Sequence, residues 1–166
     1  MVDERSAVEA FWELARFHAK LNIAPSYFGP TTLEVVPPPA WSFGADPAQA
    51  DELLGLVLSG AKTATAGALW DYEADGDPLP QPGNLSILLD GAGHPRALIE
   101  ATDVRVVPFA EVDEEHARLE GEGDGSLAHW RAVHEQFFTR AATHERGFRP
   151  DMPVVLERFR VVYQEV

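Results

Sequence analysis

The sequence contains no cysteine, so it can form neither a disulfide framework nor a thiolate metal site. No apolar run approaches the roughly 20 residues that a membrane-spanning helix needs. The first residues, Met1 to Arg5, carry neither the basic start nor the apolar run of a secretory signal. These absences predict a cytoplasmic protein that has no membrane association.

Basic residues are also scarce, because 13 Lys and Arg stand against 27 Asp and Glu and give a formal net charge of −14 at pH 7. A surface of this charge opposes binding to RNA, DNA and anionic lipid, all of which favour basic proteins. We therefore predict a small or weakly charged ligand, and at most weak binding of RNA. The length of 166 residues and the apolar share of 45% are ordinary for a soluble domain with a hydrophobic core.

The stretch most indicative of chemistry is Ser59 to Trp70, which reads SGAKTATAGALW. Gly60 is expected to end a helix, because glycine adopts the left-handed conformation without steric cost. An extended segment after it would place Thr63 and Thr65 on one face and Lys62 on the other. Among small neighbours, Lys62 would lose water and give up its proton more readily, as a base for a nearby hydroxyl must. The alternative is an exposed lysine at a helix-to-strand junction.

The pattern of apolar residues predicts four helices and three strong strands. The predicted helices are Ser6–Leu21, Pro47–Ser59 after the capping residue Asp46, Glu114–Glu120 after Asp113, and Ser126–Ala142. The predicted strands are Leu85–Asp90, Arg96–Val107 and Val154–Tyr163, and the predicted loops are Tyr27–Pro39 and Trp70–Gly83. This order favours an α+β domain in which a small curved sheet or partly open barrel is flanked by helices. The first helix and a proline-rich linker (1–40) would precede the main domain (41–166).

Several polar residues have a structural and a functional interpretation. Glu100 shares a strand face with apolar residues, so it lies either in a pocket or at a solvated strand end. His134 lies on an apolar helix stripe, which is more typical of a hydrogen-bonded core histidine than of a catalytic one. The acidic, glycine-rich tract 120–125 does not match the spacing of a calcium loop and predicts a turn. We predict neither a metal site nor a cofactor.

Five segments carry a resemblance to a known family. They are WSFGAD (41–46), ELLGLVLSGAKTATAGALWDYE (52–73), PGN (82–84), EGEGDGSLAHWR (120–131) and DMPVVLERFRVVY (151–163). Together they resemble the ASCH domain family, from Trp41 to Tyr163, and leave the N-terminal helix outside. The resemblance implies a PUA-like fold built around a small β-barrel.

The resemblance also implies a function that involves RNA or nucleosides. Some small members of the family are amidohydrolases that remove the acetyl group from 4-acetylcytidine, and others have been assigned ribonuclease activity. The amidohydrolase motif G-x-K-x-x-T corresponds to Lys62 and Thr65, and its glutamate corresponds to Glu120. On this hypothesis Thr65 is the nucleophile, Lys62 is the base that activates it, and Glu120 either orients the lysine or shuttles the proton.

Two departures from the family pattern bear on this assignment. Asn84 stands where the family often has aspartate. Lys62 and Thr65 would point to opposite faces of a regular strand, so they meet only if the strand bulges or bends. In a regular strand, Thr63 is the hydroxyl that contacts Lys62.

Two functions follow as alternatives. In the first, the protein is an amidohydrolase for an N-acylated nucleoside, and Trp70 and Tyr72 stack on the base unless they only pack in the core. Thr63, Glu100 and Arg131 are the further candidates for contact with such a substrate. In the second, the protein is an RNA-binding module or ribonuclease with a basic groove. The side chains available for that groove are Lys62, Arg96, Arg105, Arg131, Arg158 and Arg160.

Overall fold

The computed structural model describes residues 3–20 and 36–165, and within them it contains five helices and five strands. The helices are α1 (Glu4–Lys20), α2 (Pro47–Ser59), α3 (Leu69–Asp75), α4 (Glu114–Glu120) and α5 (Leu127–Arg140). The strands are β1 (Ala40–Trp41), β2 (Ala64–Ala68), β3 (Leu85–Leu89), β4 (Pro95–Pro108) and β5 (Pro153–Gln164), and a short 3-10 helix covers Phe109–Glu111. The predicted α+β class, with one small sheet flanked by helices, is confirmed.

The strands form a mixed sheet in the order β1-β3-β4-β5-β2. β1 pairs parallel to β3, whereas β3 pairs antiparallel to β4 and β2 antiparallel to β5. The pairing of β2 with β5 places Thr65 directly opposite Glu157. None of the helices within residues 3–20 and 36–165 has the length and apolar character that a bilayer crossing demands.

Most predicted elements are confirmed to within one or two residues at each end. α2 has the predicted bounds, and Gly60 follows it with a φ of 85°, the left-handed conformation expected there. α4 begins after Asp113, whose side chain accepts a hydrogen bond from the backbone N–H of His116 at 2.9 Å. The three predicted strands correspond to β3, β4 and β5.

Three expectations about local structure were wrong in part or concern residues outside the described ranges. The prediction of a loop from Trp70 to Gly83 was wrong at its start, where α3 forms without a capping side chain and ends at Gly76 in the left-handed conformation. The predicted start of the first helix at Ser6 lies two residues inside α1, which begins at Glu4, and the Ser6 hydroxyl donates to the Asp3 carbonyl. Most of the predicted loop at 27–39 lies outside the described residues. β1 is too short to have been predicted.

The chain divides into two compact units. The first contains the described residues up to Leu58, Leu85–Glu100 and the end of β5 from Val161. Its core joins one face of α1 to β3 and β4, through the side chains of Phe11, Trp12, Ala15, Ile87, Leu89 and Leu98. The N-terminal helix, which the family resemblance leaves out, therefore shares a core with the sheet.

The second unit comprises Ser59–Asn84 and Ala101–Arg160. Its core is built from β2, β5, α4, α5 and the 3-10 helix, and contains Ala68, Phe109, Val112, Ala117, Trp130, Phe138, Met152, Val154 and Leu156. The buried network around Lys62 and Glu120 that is described below belongs to this unit.

Candidate functional site

The C-terminal end of α4 fixes the segment that carries Lys62. The backbone N–H of Thr63 donates to the Leu119 carbonyl at 2.8 Å. Gly121 ends α4 with a φ of 66°, and a Cβ atom there would lie 2.1 Å from the carbonyl oxygen of Ala61. Only glycine permits both this conformation and this approach. The position of Lys62 is therefore set by backbone contacts on both of its sides.

Lys62 is buried, with 2% of its surface exposed. Its Nζ atom lies 3.3 Å from Oε1 of Glu120 and 3.6 Å from Oε2 of Glu122. A buried ammonium group is tolerated only when carboxylates or other acceptors replace its water. The expected burial of Lys62 and its expected contact with Glu120 are both present, whereas its catalytic role remains a prediction.

Glu120 is the centre of a buried polar network and is itself only 1% exposed. Oε2 accepts from the indole N–H of Trp130 and lies 2.8 Å from Nε2 of His116. Oε1 faces Lys62 and lies 3.5 Å from Nε2 of His134. Burial by itself would raise the pKa of Glu120, but the hydrogen bonds from the two histidines and the charges of His134 and Lys62 hold that pKa well below its usual value. Glu120 is therefore a carboxylate at neutral pH.

His134 is held against Trp130 and turned toward Glu120. The two rings stack at 4.1 Å between centroids with an interplanar angle of 14°. Nδ1 of His134 lies 2.9 Å from the Trp130 carbonyl, which leaves Nε2 for the carboxylate. Burial opposes the charged imidazole, yet the hydrogen bond to Glu120 and the charges of Glu120 and Glu122 raise the pKa of His134. His134 thus provides Glu120 with a second cationic partner besides Lys62.

Three groups of this network are close enough to share a cation. The ligand atoms of Glu120, Glu122 and His134 all lie within 4.8 Å of one another. The Lys62 ammonium group lies against both carboxylates and already supplies positive charge there. A divalent ion bound to these three residues would have to compete with that ammonium group.

Thr65 lies on β2 and shares a face with Glu157 of β5. The pairing of β2 with β5 has no register shift, so directly opposed side chains lie on the same face of the sheet. Ala66, one residue on, faces the core of the second unit. Burial raises the pKa of Glu157 to about 6. The alternation expected from the sequence is thus present along β2, and joint action of Lys62 and Thr65 remains a prediction.

The two aromatic residues after the threonines have defined surroundings. The Tyr72 ring lies over Gly67, where an added Cβ would be 3.1 Å from Cε2 of the ring. Burial, and then the charges of Glu157 and Asp77, raise the pKa of Tyr72 to about 12. Trp70 packs against the core of the second unit, and the guanidinium of Arg146 lies 4.9 Å from the centre of its ring. Stacking of either ring on a nucleobase remains a prediction.

The other predicted substrate contacts lie at three separate places. Thr63 donates its hydroxyl to the Leu119 carbonyl at 3.4 Å. Arg131 is exposed, and its Nη2 donates to the Ala110 carbonyl at 3.1 Å. Glu100 is half-buried on β4 opposite Leu85, in the first compact unit. Their contacts with substrate remain predictions.

Sequence reasoning missed four residues of the network, His116, Glu122, Trp130 and His134. The sequence signal that could have revealed contacts in this network is a spacing of four residues, which brings two side chains together on one helix face. It joins His116 to Glu120 on α4 and Trp130 to His134 on α5. His134 was predicted as a core histidine from its apolar helix stripe alone, because its contact with Glu120 depends on how α5 packs against α4.

Comparison with known proteins gives a consistent result. The sequence model of the ASCH domain family matches residues 39–163. A crystal structure of an ASCH domain from Lactobacillus crispatus JV V101 is 33% identical, with a TM-score of 0.76, over 92% of this chain and 94% of that one. A protein of Enterococcus faecalis V583 is also 33% identical, with a TM-score of 0.77, over 93% of this chain and 87% of that one. No curated protein matches the chain.

Proposed function

This chain belongs to the ASCH domain family, and from that premise we propose that it hydrolyses the amide bond of N-acylated nucleosides such as 4-acetylcytidine. The observation that carries the proposal is the buried contact of 3.3 Å between Lys62 and Glu120, the lysine and the glutamate of the amidohydrolase motif. Exposed lysines need no such network, since solvent satisfies them. The network supports a chemical role for Lys62.

In the proposed reaction the hydroxyl oxygen of Thr65 attacks the acyl carbonyl carbon. Lys62 accepts the hydroxyl proton and passes it to the exocyclic nitrogen as the carbon–nitrogen bond breaks. Cytidine leaves, and the acyl group stays on Thr65 as an ester. Water then hydrolyses the ester, which releases the carboxylic acid and restores the hydroxyl.

Two carboxylates beside Lys62 favour its charged form, so its role as a proton acceptor depends on what stabilises them while the amine is neutral. A lysine whose ammonium group is the sole counter-ion of a buried carboxylate cannot lose its proton without leaving that carboxylate uncompensated. Glu120 has His134 as a second cationic partner and accepts further hydrogen bonds from His116 and Trp130. Glu120 therefore stays stabilised while Lys62 is neutral, and it keeps the amine in place.

The nucleophile has one alternative within the motif. Thr63 is adjacent to Lys62, and its backbone is tied to Leu119 at the end of α4. If the amine reaches Thr63 and not Thr65, the same chemistry proceeds from Thr63. If it reaches neither, Lys62 activates a water molecule, and no covalent intermediate forms.

The test is incubation with a panel of N-acylated nucleosides, with products separated by chromatography. We expect conversion of 4-acetylcytidine to cytidine by the wild-type protein. We expect no conversion by the double variant Lys62→Met/Glu120→Gln, which removes the lysine together with the carboxylate that lies nearest to it. Absence of product from every substrate, with wild-type protein shown to be folded, would overturn the proposal.

A further inference from the structure

Glu157 of β5 is the residue opposite Thr65 in the sheet, and the proposed reaction gives it no role. The two residues are directly opposed in the pairing of β2 with β5. Opposed side chains of an antiparallel pair have Cβ atoms about 5 Å apart on one face of the sheet. Any ligand that reaches the Thr65 hydroxyl from this face also meets the Glu157 carboxyl.

The Glu157 carboxyl is half-buried and has no bonding partner among the described residues. Within residues 3–20 and 36–165 it makes no hydrogen bond or ion pair, and the same holds for the Thr65 hydroxyl. A half-buried carboxyl without a partner costs stability, so folding alone gives no reason to keep it. Its surroundings favour a ligand that supplies the missing hydrogen bonds.

Tyr72 completes this face of the sheet. Its ring covers Gly67, which is two residues beyond Thr65 on the same side of β2. The absence of a side chain at Gly67 lets the ring lie against the strand. The Tyr72 phenol is the only titratable group within the described residues that interacts with Glu157. Burial alone raises the pKa of Glu157 to about 6. No cation of the described residues holds this carboxyl in its charged form.

We propose that Glu157 is a substrate-binding residue that recognises a planar ligand through an edge on which a hydrogen-bond donor and an acceptor are adjacent. A protonated carboxyl has one donor and one acceptor side by side, so it pairs with such an edge through two hydrogen bonds. In an N4-acylated cytosine the edge consists of N4–H and N3. The choice of this base rests on the proposed function, whereas the edge chemistry follows from Glu157 itself.

Binding of cytidine, measured by calorimetry, tests the inference without any need for turnover. Because only the protonated carboxyl pairs with N3, wild-type affinity should fall at least tenfold between pH 5.5 and pH 7.5. Glu157→Gln, whose amide has a donor and an acceptor in the same places, should bind equally at both pH values. Glu157→Leu should lose the affinity, and N4,N4-dimethylcytidine, which lacks the N4–H donor, should bind weakly to all three proteins.

Each outcome separates this inference from the proposed function. Unchanged affinity in Glu157→Leu, a wild-type affinity independent of pH, or no binding of cytidine would overturn the role of Glu157, even if 4-acetylcytidine is hydrolysed. Cytidine binding with the expected dependence on Glu157 would support the role even if no hydrolysis occurs. Urea unfolding checks that Glu157→Leu is folded, and we expect it to be at least as stable as wild type at pH 7.5, because it removes a half-buried charge without a partner.

Discussion

The Nζ atom of Lys62 and the Oε1 atom of Glu120 lie 3.3 Å apart, although the two residues are 58 positions apart in the sequence and both are buried. The contact exists because the end of α4 is tied to the segment before β2, through the Thr63 N–H and the Leu119 carbonyl. The pair therefore has two roles. It stabilises the second unit, and it takes part in the proposed reaction.

Removal of one partner of this pair should be costly. Lys62→Met leaves Glu120 and Glu122 with less positive charge in a buried site, and the loss of one partner of a buried pair costs about 3–5 kcal/mol. We expect a decrease of this size in the free energy of unfolding, measured by urea denaturation. The added substitution Glu120→Gln should restore part of it. A single variant as stable as wild type would contradict the view that Lys62 compensates the two carboxylates.

Replacement of Gly121 by alanine should destabilise the protein more than replacement of Gly125, which lies in the same glycine-rich tract. Gly121 and Gly125 both have positive φ values, 66° and 75°, so an alanine at either position pays about 1–2 kcal/mol for the left-handed conformation. A Cβ at Gly121 also meets the Ala61 carbonyl at 2.1 Å, whereas one at Gly125 meets nothing within 4 Å. Urea unfolding should therefore show a larger loss for Gly121→Ala than for Gly125→Ala. Equal losses would show that the contact with Ala61 does not matter.

The stabilisation that the network provides should decrease at both high pH and low pH. The pKa of His134 is raised in the folded state, so its contribution is complete below its ordinary value of 6.5 and is lost as the pH rises through the raised value. The pKa of Glu120 is lowered, so its contribution is complete above its ordinary value of 4.5 and is lost as the pH falls through the lowered value. The window of full contribution is therefore between about pH 4.5 and 6.5.

Urea unfolding of His134→Gln tests the alkaline side of this window. The stability difference between wild type and variant should be largest near pH 6 and should shrink by pH 9. His94→Gln is the matched control, because the His94 side chain is exposed and lies outside the network. A difference that grows toward pH 9 would contradict the assignment of a charged His134 beside Glu120.

RNA binding should be weak at physiological salt. The net charge of −14 opposes the approach of a polyanion, and two candidate groove residues have acidic partners, Arg105 with Asp113 and Arg158 with Glu115. We expect fluorescence anisotropy with a structured RNA to give dissociation constants above the micromolar range. Submicromolar binding with a steep salt dependence would favour the RNA-binding alternative.

The sequence predicted those parts of the fold that depend on local signals. The capping residue Asp46 and the stop at Gly60 defined α2, and alternating apolar residues defined β5. α3 has no capping side chain and spans only seven residues, so local signals were too weak to reveal it. β1 has two residues and exists only through its pairing with β3.

The site could be predicted only where a motif named its residues. The family motif identified Lys62 and Glu120, whose contact is present in the structure. His134 and Trp130 come to Glu120 through the packing of α5 against α4, and no single-residue pattern encodes that tertiary contact. Glu157 could not be connected to the site from the sequence, because its position opposite Thr65 depends on the strand register.

The most direct test of the proposed chemistry is the rate of cytidine formation from 4-acetylcytidine by Thr65→Val, with wild type and Thr63→Val measured beside it. Valine has nearly the shape of threonine but no hydroxyl, so it removes the nucleophile while urea unfolding verifies the fold. We predict that wild type and Thr63→Val form cytidine and that Thr65→Val forms none. Cytidine formation by folded Thr65→Val at the wild-type rate would contradict the account and would leave Lys62 to act on Thr63 or on water.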